Sequence, residues 1–122
     1  MQFNRFEEMP VRQDARKLTR IIYQMTVTGN FAKDFGLRDQ IRRASVSSMS
    51  NIAEGYERGS RKEYVHFLTI SKGSAGELRC LLTVACQLDY VSKKVGDDVI
   101  NDAVEISKML KGLINSLHPG ND

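Results

Sequence analysis

The stretch SNIAEGYERGS, residues 50–60, decides how the chain folds. An apolar–polar helical pattern runs into it from the N-terminal side and stops at Gly55. A new pattern leaves it at Ser60. Gly55 suits a helix C-terminus, where a left-handed backbone costs glycine little. Ser60 followed three residues later by Glu63 is a capping box, in which the serine oxygen takes an orphan N–H and the glutamate reaches back. Between them lie only four residues, so the two helices must turn back on one another. Asn51 and Glu54 are polar groups able to fix the helix end and the turn, with Glu54 paired to Arg42, Arg43 or Arg58.

Upstream, Leu37, Ile41, Ala44, Ser48 and Ile52 fall on one face of a helix over 37–55. Val46, Met49 and Ala53 form a second apolar strip about a third of a turn away. A helix in an isolated bundle needs a single apolar stripe, so the spare strip points to a subunit contact. Downstream, Tyr64, Phe67, Ser71, Ser74, Leu78, Leu81, Leu82, Ala85 and Leu88 share a face of a helix over 60–88. Its middle, SKGSAG, is unusually small. Interior glycines cost about 1 kcal/mol each relative to alanine, which implies close approach of another backbone. His66, Gly73, Cys80 and Val84 lie together on a flank, a second candidate contact surface.

Two outer segments complete the pattern. Val11, Ala15, Leu18, Ile22 and Met25 define a helix over 10–29, opened by Pro10 and closed by Gly29-Asn30. Val99, Ala103, Ile106, Leu110, Leu113 and Leu117 define one over 98–117, with Asp97 or Asp98 as its cap and Pro119-Gly120 as its stop. No segment has a strand period. The predicted fold is all-α, a single domain forming an antiparallel up-down-up-down four-helix bundle with connections near 30–36, 56–59 and 90–97.

Composition fits a globular chain: 122 residues, 41% hydrophobic and 27% charged, enough for one real core. No apolar run is long enough to span a bilayer, and the N-terminus lacks the apolar core of a secretion signal. Cys80 and Cys86 point to different helix faces and read as reduced thiols, so a cytoplasmic location is expected. The net charge is +3 with a pI near 9.0. It is unevenly spread: residues 1–62 hold 12 Lys/Arg against 7 Asp/Glu, and residues 63–122 hold 6 against 8. A basic N-terminal half implies an anionic partner.

The central run LRDQIRRASVSSMSNIAEGYERGSRKEYVHFLTISKGSAGEL, residues 37–78, resembles the signature of the four-helix-bundle proteins encoded in intervening sequences of bacterial 23S ribosomal RNA. The matching positions are Leu37, Gln40, Ile41, Arg42, Arg43 and Ala44; then Asn51, Ile52, Ala53, Glu54 and Gly55; then Ser60, Phe67, Leu68, Gly73, Ser74, Glu77 and Leu78. A looser likeness extends to FEE near the start and KMLKGLINSL near the end. The chain departs at Ser48-Met49, where the family often has Ile-Pro, and at Ala75, where it often has a larger apolar residue. A less kinked second helix, and closer approach or a buried hydroxyl bond near Ser48, are expected from these departures. The family is similar to the accessory variability protein of diversity-generating retroelements, a basic homopentamer that binds nucleic acid and a reverse transcriptase. The resemblance therefore implies a pentamer, a nucleic-acid partner and a protein partner such as a reverse transcriptase or ribosomal component.

Arg12, Arg16 and Arg20 recur every four residues and form a basic stripe opposite the apolar face of the first helix. Neighbours on it are ~6 Å apart along the axis. Arg38, Arg42, Arg43, Arg58, Arg61 and Lys62 add charge. Arginine suits phosphate because its planar fork donates paired hydrogen bonds. With no tryptophan and few aromatics, backbone binding of RNA or DNA is the reading, with a protein-docking scaffold as the alternative. Glu63-x-x-His66 has the i, i+3 spacing of bundle di-iron sites, but such sites need a second such motif, which the sequence lacks. No nucleophile–base pattern or phosphate loop occurs. The prediction is a non-enzyme without metal or cofactor, with Val46, Met49, Ala53, Gly73, Cys80 and Val84 at an oligomer interface.

Overall fold

The computed structural model describes residues 9–118. The FEE stretch and the Pro119-Gly120 stop fall outside them. Five helices follow in order: α1 Pro10–Met25, α2 Gly29–Lys33, α3 Phe35–Glu57, α4 Arg61–Gln87 and α5 Lys93–Leu117. Four are long, and among the described residues there is no strand.

The predicted stripes supply most of the core, but on α4 Leu68 and Ala75, outside the predicted stripe, are buried, while Leu88, inside it, is exposed because it lies at the helix end. Val11, Ala15, Leu18 and Ile22 of α1, Ile41, Ala44 and Ile52 of α3, Tyr64, Leu68, Ala75, Leu78, Leu82 and Ala85 of α4, and Val99, Ala103, Ile106, Leu110 and Leu117 of α5 are all buried. Met25, Leu37, Phe67, Leu81 and Leu113 lie at the margin, half-buried. Helix α3 packs on α4, α4 on α5, and α1 on both α3 and α5. Tertiary bonds fix the sense of the first two long pairs: Thr19 and Thr26 of the α1 side bond Ser45 and Arg42, and Ser47 and Ser48 bond Ser74 and Ser71. In each pair one number rises as the other falls, so these helices run antiparallel. Cys86 beside Gly96 and Val65 beside Leu117 give α4 and α5 the same relation.

Helix ends depart from expectation in four places. Helix α1 stops at Met25 rather than at Gly29-Asn30; the buried Thr26 ends it, with its N–H and its hydroxyl both donating to the Ile22 carbonyl. Gly29 instead opens the short α2, with φ +68°. Helix α3 starts two residues early because Asp34 caps it, its Oδ1 accepting the Leu37 N–H at 3.1 Å. Gly55 is not a cap at all: it lies inside α3, buried, and Gly59, at φ +82°, makes the turn. Helix α5 starts at Lys93, capped by Ser92 Oγ. Asp97 and Asp98 are one turn further in, paired with Lys93 and Lys94 at 3.1 and 3.0 Å. Ser60 does cap α4, its Oγ accepting the Glu63 N–H at 3.1 Å.

Helix α2, read from sequence as plain connection, closes one end of the bundle. Phe31 is fully buried there, and its ring lies 5.4 Å from that of Tyr90 in the α4–α5 loop. The Tyr90 hydroxyl donates to Asp34 Oδ2 at 2.9 Å. The residue that caps α3 thus also ties down the loop after α4.

The α3–α4 seam is built from small residues. Ser71 Oγ donates to the Ser48 carbonyl across the seam. Ser47 and Ser74 hydroxyls meet at 2.8 Å. The expected buried hydroxyl bond at Ser48 is therefore present, and it satisfies groups that the close approach removes from water.

Candidate nucleic-acid interface

Basic residues are divided between two regions. On α1, Arg16 and Arg20 are exposed, with Lys17 between them, and with Gln13 they line a shallow depression. Arg12, placed by sequence on the same exposed stripe, is half-buried. One further turn toward the end of α1 comes Tyr23. It lies against α3, where Tyr23, Asp39, Arg42, Arg43 and Val46 line one surface. The α1 stripe and the α3 arginines therefore form one ridge.

Three of the α3 arginines differ in what holds them. Arg42 is half-buried; its Nε donates to the Thr26 hydroxyl at 2.8 Å and its guanidinium lies 4.7 Å from the centre of the Tyr23 ring. Arg38 is bonded to the Ala32 carbonyl at 3.1 Å and to Asp39 at 2.9 Å, and lies 4.8 Å over the Phe35 ring. Arg42 is thus ordered by a neutral hydroxyl and a ring, which leaves its charge uncompensated, whereas Arg38 is paired with Asp39. Arg43 is exposed. Among the described residues no carboxylate lies within ion-pair distance of Arg16, Arg20, Arg42 or Arg43.

Arg58, Arg61 and Lys62 sit at the other end. Arg58, which caps the C-terminus of α3, is sixteen residues beyond Arg42, about 24 Å along the axis. It is spent on carboxylates, at 2.8 Å from Glu54 and 3.8 Å from Glu63, and covers the Phe67 ring at 4.9 Å. The nine predicted binding residues therefore do not form one patch. Of the partners considered for Glu54, Arg58 is the one that pairs, and Glu54 is exposed. An exposed i, i+4 pair contributes only about 0.3–0.5 kcal/mol. Asn51 does not fix the helix end: its Nδ2 donates back to the Ser47 carbonyl at 2.8 Å and the Ser47 hydroxyl at 3.1 Å. It supports the serine seam instead.

The two proposed contact strips also differ. Val46, Met49 and Ala53 are half-buried, and Met49 and Ala53 pack against the chain's own core. Gly73, Cys80 and Val84 on α4 are exposed, as is His66. Ile70 and Leu88, 39% and 49% exposed, extend that face. A side chain at Gly73 or Gly76 would meet nothing within 4 Å. The close approach expected at SKGSAG is thus made by α3 at Ser71 and Ser74, and not on the side of the two glycines.

Burial, reinforced by Tyr56, pushes the Tyr64 hydroxyl up to about 12. Burial also pushes the Cys86 thiol up. Asp102 on α5 is raised by burial, with Lys17 opposing and Asp98 and Asp14 adding to the rise. Glu63 is committed to the turn through Arg58, and His66 stands edge-on to Phe67 at 5.3 Å. Among the described residues no group of three or more His, Cys, Asp or Glu is placed to hold a metal ion, and no helix is long and apolar enough to cross a membrane.

Sequence reasoning missed Tyr23 and Phe35. Tyr23 lies off the α1 core stripe and Phe35 fell in a predicted loop. The available signal was helical spacing: Tyr23 follows Arg20 by three, and Phe35 precedes Arg38 by three.

No curated protein matches the chain. A solved structure that does is a protein of unknown function from the S23 ribosomal protein family of Bacteroides thetaiotaomicron, with 27% sequence identity and a TM-score of 0.78, over 85% of this chain and 97% of that one. The description 23S rRNA-intervening sequence protein fits residues 7–112. With that span covering most of its length and all of the first four helices, the chain belongs to the 23S rRNA-intervening sequence protein family.

Proposed function

We propose that the protein is a non-catalytic, self-associating nucleic-acid-binding protein whose α1–α3 ridge contacts the phosphate backbone. The observation that carries this reading is the set of exposed arginines Arg16, Arg20 and Arg43 on adjacent helices, without carboxylate partners among the described residues. Their desolvation cost is small and their charge is available to an anionic polymer. Replacing Arg16, Arg20 and Arg43 together by glutamine should weaken binding and flatten the dependence of log affinity on log salt by about 2–3, since each phosphate contact contributes roughly 0.7–0.9 to that slope. Arg12 is left alone because it is half-buried. Filter binding of RNA and DNA across a salt series checks this. Equal binding by parent and variant at every salt would make the ridge a solvated surface.

Self-association is supported by the exposed Ile70, Gly73, Cys80, Val84 and Leu88 face of α4, and the number five by the resemblance to a pentameric relative. Light scattering should give a mass near five times the 13.8 kDa of the chain. Val84→Glu should lower it, because an interface would bury an unpaired charge. The same apolar face supports the second reading, a scaffold docking to a reverse transcriptase or ribosomal protein. A parent that is monomeric and fails to bind nucleic acid would move that reading ahead.

A further inference from the structure

The α1–α3 ridge carries an arrangement that phosphate binding alone does not require. Tyr23 and Phe35 are large rings left 42% and 64% exposed. Each has a guanidinium over one face, Arg42 at 4.7 Å and Arg38 at 4.8 Å. Arg38 and Arg42 are one turn apart on α3, a rise of about 6 Å. The two rings therefore flank successive turns of one helix. Neither arginine is loose: Arg42 is held by Thr26, and Arg38 by Ala32 and Asp39. The rings are thus backed by cations that are themselves fixed, so little side-chain order remains to be lost on binding.

The third such pair shows what is particular here. Phe67 beneath Arg58 is half-buried, and Arg58 is neutralised by Glu54 and Glu63. That pair seals the α3–α4 turn. At Tyr23 and Phe35 the rings stay open; Arg38 over Phe35 is paired with Asp39, but Arg20, Arg42 and Arg43 around Tyr23 lack carboxylate partners among the described residues.

Exposed rings beside a cationic track match single-stranded nucleic acid. Every base has a π-face that stacks on an aromatic ring, and the backbone follows the charge. A duplex keeps its bases stacked on one another and offers the rings little. We propose that Tyr23 and Phe35 are stacking platforms that make the ridge prefer single-stranded over double-stranded nucleic acid. This rests on the nucleic-acid reading above and names the form of nucleic acid bound.

The probes are a 15-nucleotide RNA of mixed sequence and the same strand annealed to its complement. Tyr23→Leu and Phe35→Leu keep apolar bulk and remove the ring. Each should weaken single-strand binding about tenfold and leave duplex binding unchanged, whereas Tyr23→Phe should retain parental affinity. The chain has no tryptophan, so Tyr23→Trp adds a unique reporter, expected to be quenched by the single strand and not by the duplex. Thermal melts of each variant separate loss of folding from loss of binding. Equal affinity for both probes, unaltered by either leucine variant, or unquenched emission in a variant that binds, would overturn the stacking role while leaving phosphate binding in place. Failure of the parent to bind either probe would overturn the nucleic-acid reading itself.

Discussion

Helical glycines occur in two settings in this molecule. Gly55 in α3 and Gly96 in α5 are buried at helix–helix crossings. A Cβ at position 55 would lie 2.7 Å from Phe67 Cβ and 3.1 Å from Tyr64 Cδ1, and one at 96 would collide with Cys86 Sγ. Gly73 and Gly76 in α4 meet nothing within 4 Å. All four incur the same helix-propensity cost, about 1 kcal/mol each. At the first two, close packing within the chain offsets it. At the second two nothing in the described chain does. The proposed self-association would supply Gly73 and Gly76 with neighbours, and the exposed α4 face supports that proposal better than the half-buried Val46, Met49 and Ala53 strip.

The sharpest break of this comparison is Gly55→Ala. Phe67 Cβ is tied to its backbone and cannot swing aside, so overpacking should cost about 1–3 kcal/mol, read as a lower urea midpoint. Gly96→Ala should cost less, because Cys86 Sγ is a side-chain end able to rotate. No loss at Gly55 would mean that the seam relaxes freely.

Ser71→Ala tests the same seam through its hydrogen bonds. It removes the hydroxyl that bonds the Ser48 carbonyl and leaves Ser48 Oγ without its Ser71 neighbour. A loss of about 1–2 kcal/mol is expected, again by denaturation. Gly73→Ala and Gly76→Ala should act with the opposite sign, stabilising the dissociated chain by up to about 1 kcal/mol each while lowering the assembled fraction in light scattering. Stabilisation with unchanged assembly would remove the argument for an interface on α4.

The smallest effect is confined to alkaline solution. Tyr64 packs against Gly55, and its burial raises the hydroxyl from 10.0 to about 12. A raised folded-state value means that its contribution is fully present below pH 10 and is lost as pH rises through about 12. Stability should decline across that window in the parent and decline less in Tyr64→Phe, measured by denaturation at pH 9 and pH 11.

The sequence was explicit about periodicity and vague about ends. The stripes at Ile41, Ala44 and Ile52, at Tyr64, Leu78 and Leu82, and at Val99, Ala103, Ile106 and Leu110 all went to the core, because a 3.6-residue repeat admits one buried face. The ends shifted by as much as five residues, because several polar residues near each end could cap and only tertiary neighbours choose among them. Asp34 became a cap where Tyr90 also holds it. Asp97 and Asp98 were displaced by Ser92 and paired with lysines instead.

The candidate site was legible as charge and not as geometry. Counting arginines found the basic half of the chain, and spacing found Arg16 and Arg20. Distance along the sequence could not tell that Arg58 would be neutralised 24 Å or so from Arg42, or that Arg12 would be half-buried. Nor could it place Tyr23 over Arg42, since that contact joins residues nineteen apart on different helices. Sequence by itself determined that this is an all-helical chain with a basic N-terminal half, because hydrophobic period and charge are local properties. Tertiary structure alone decided which glycines have neighbours, which arginines keep their charge and which rings stay open, because each depends on what another helix brings within a few ångströms.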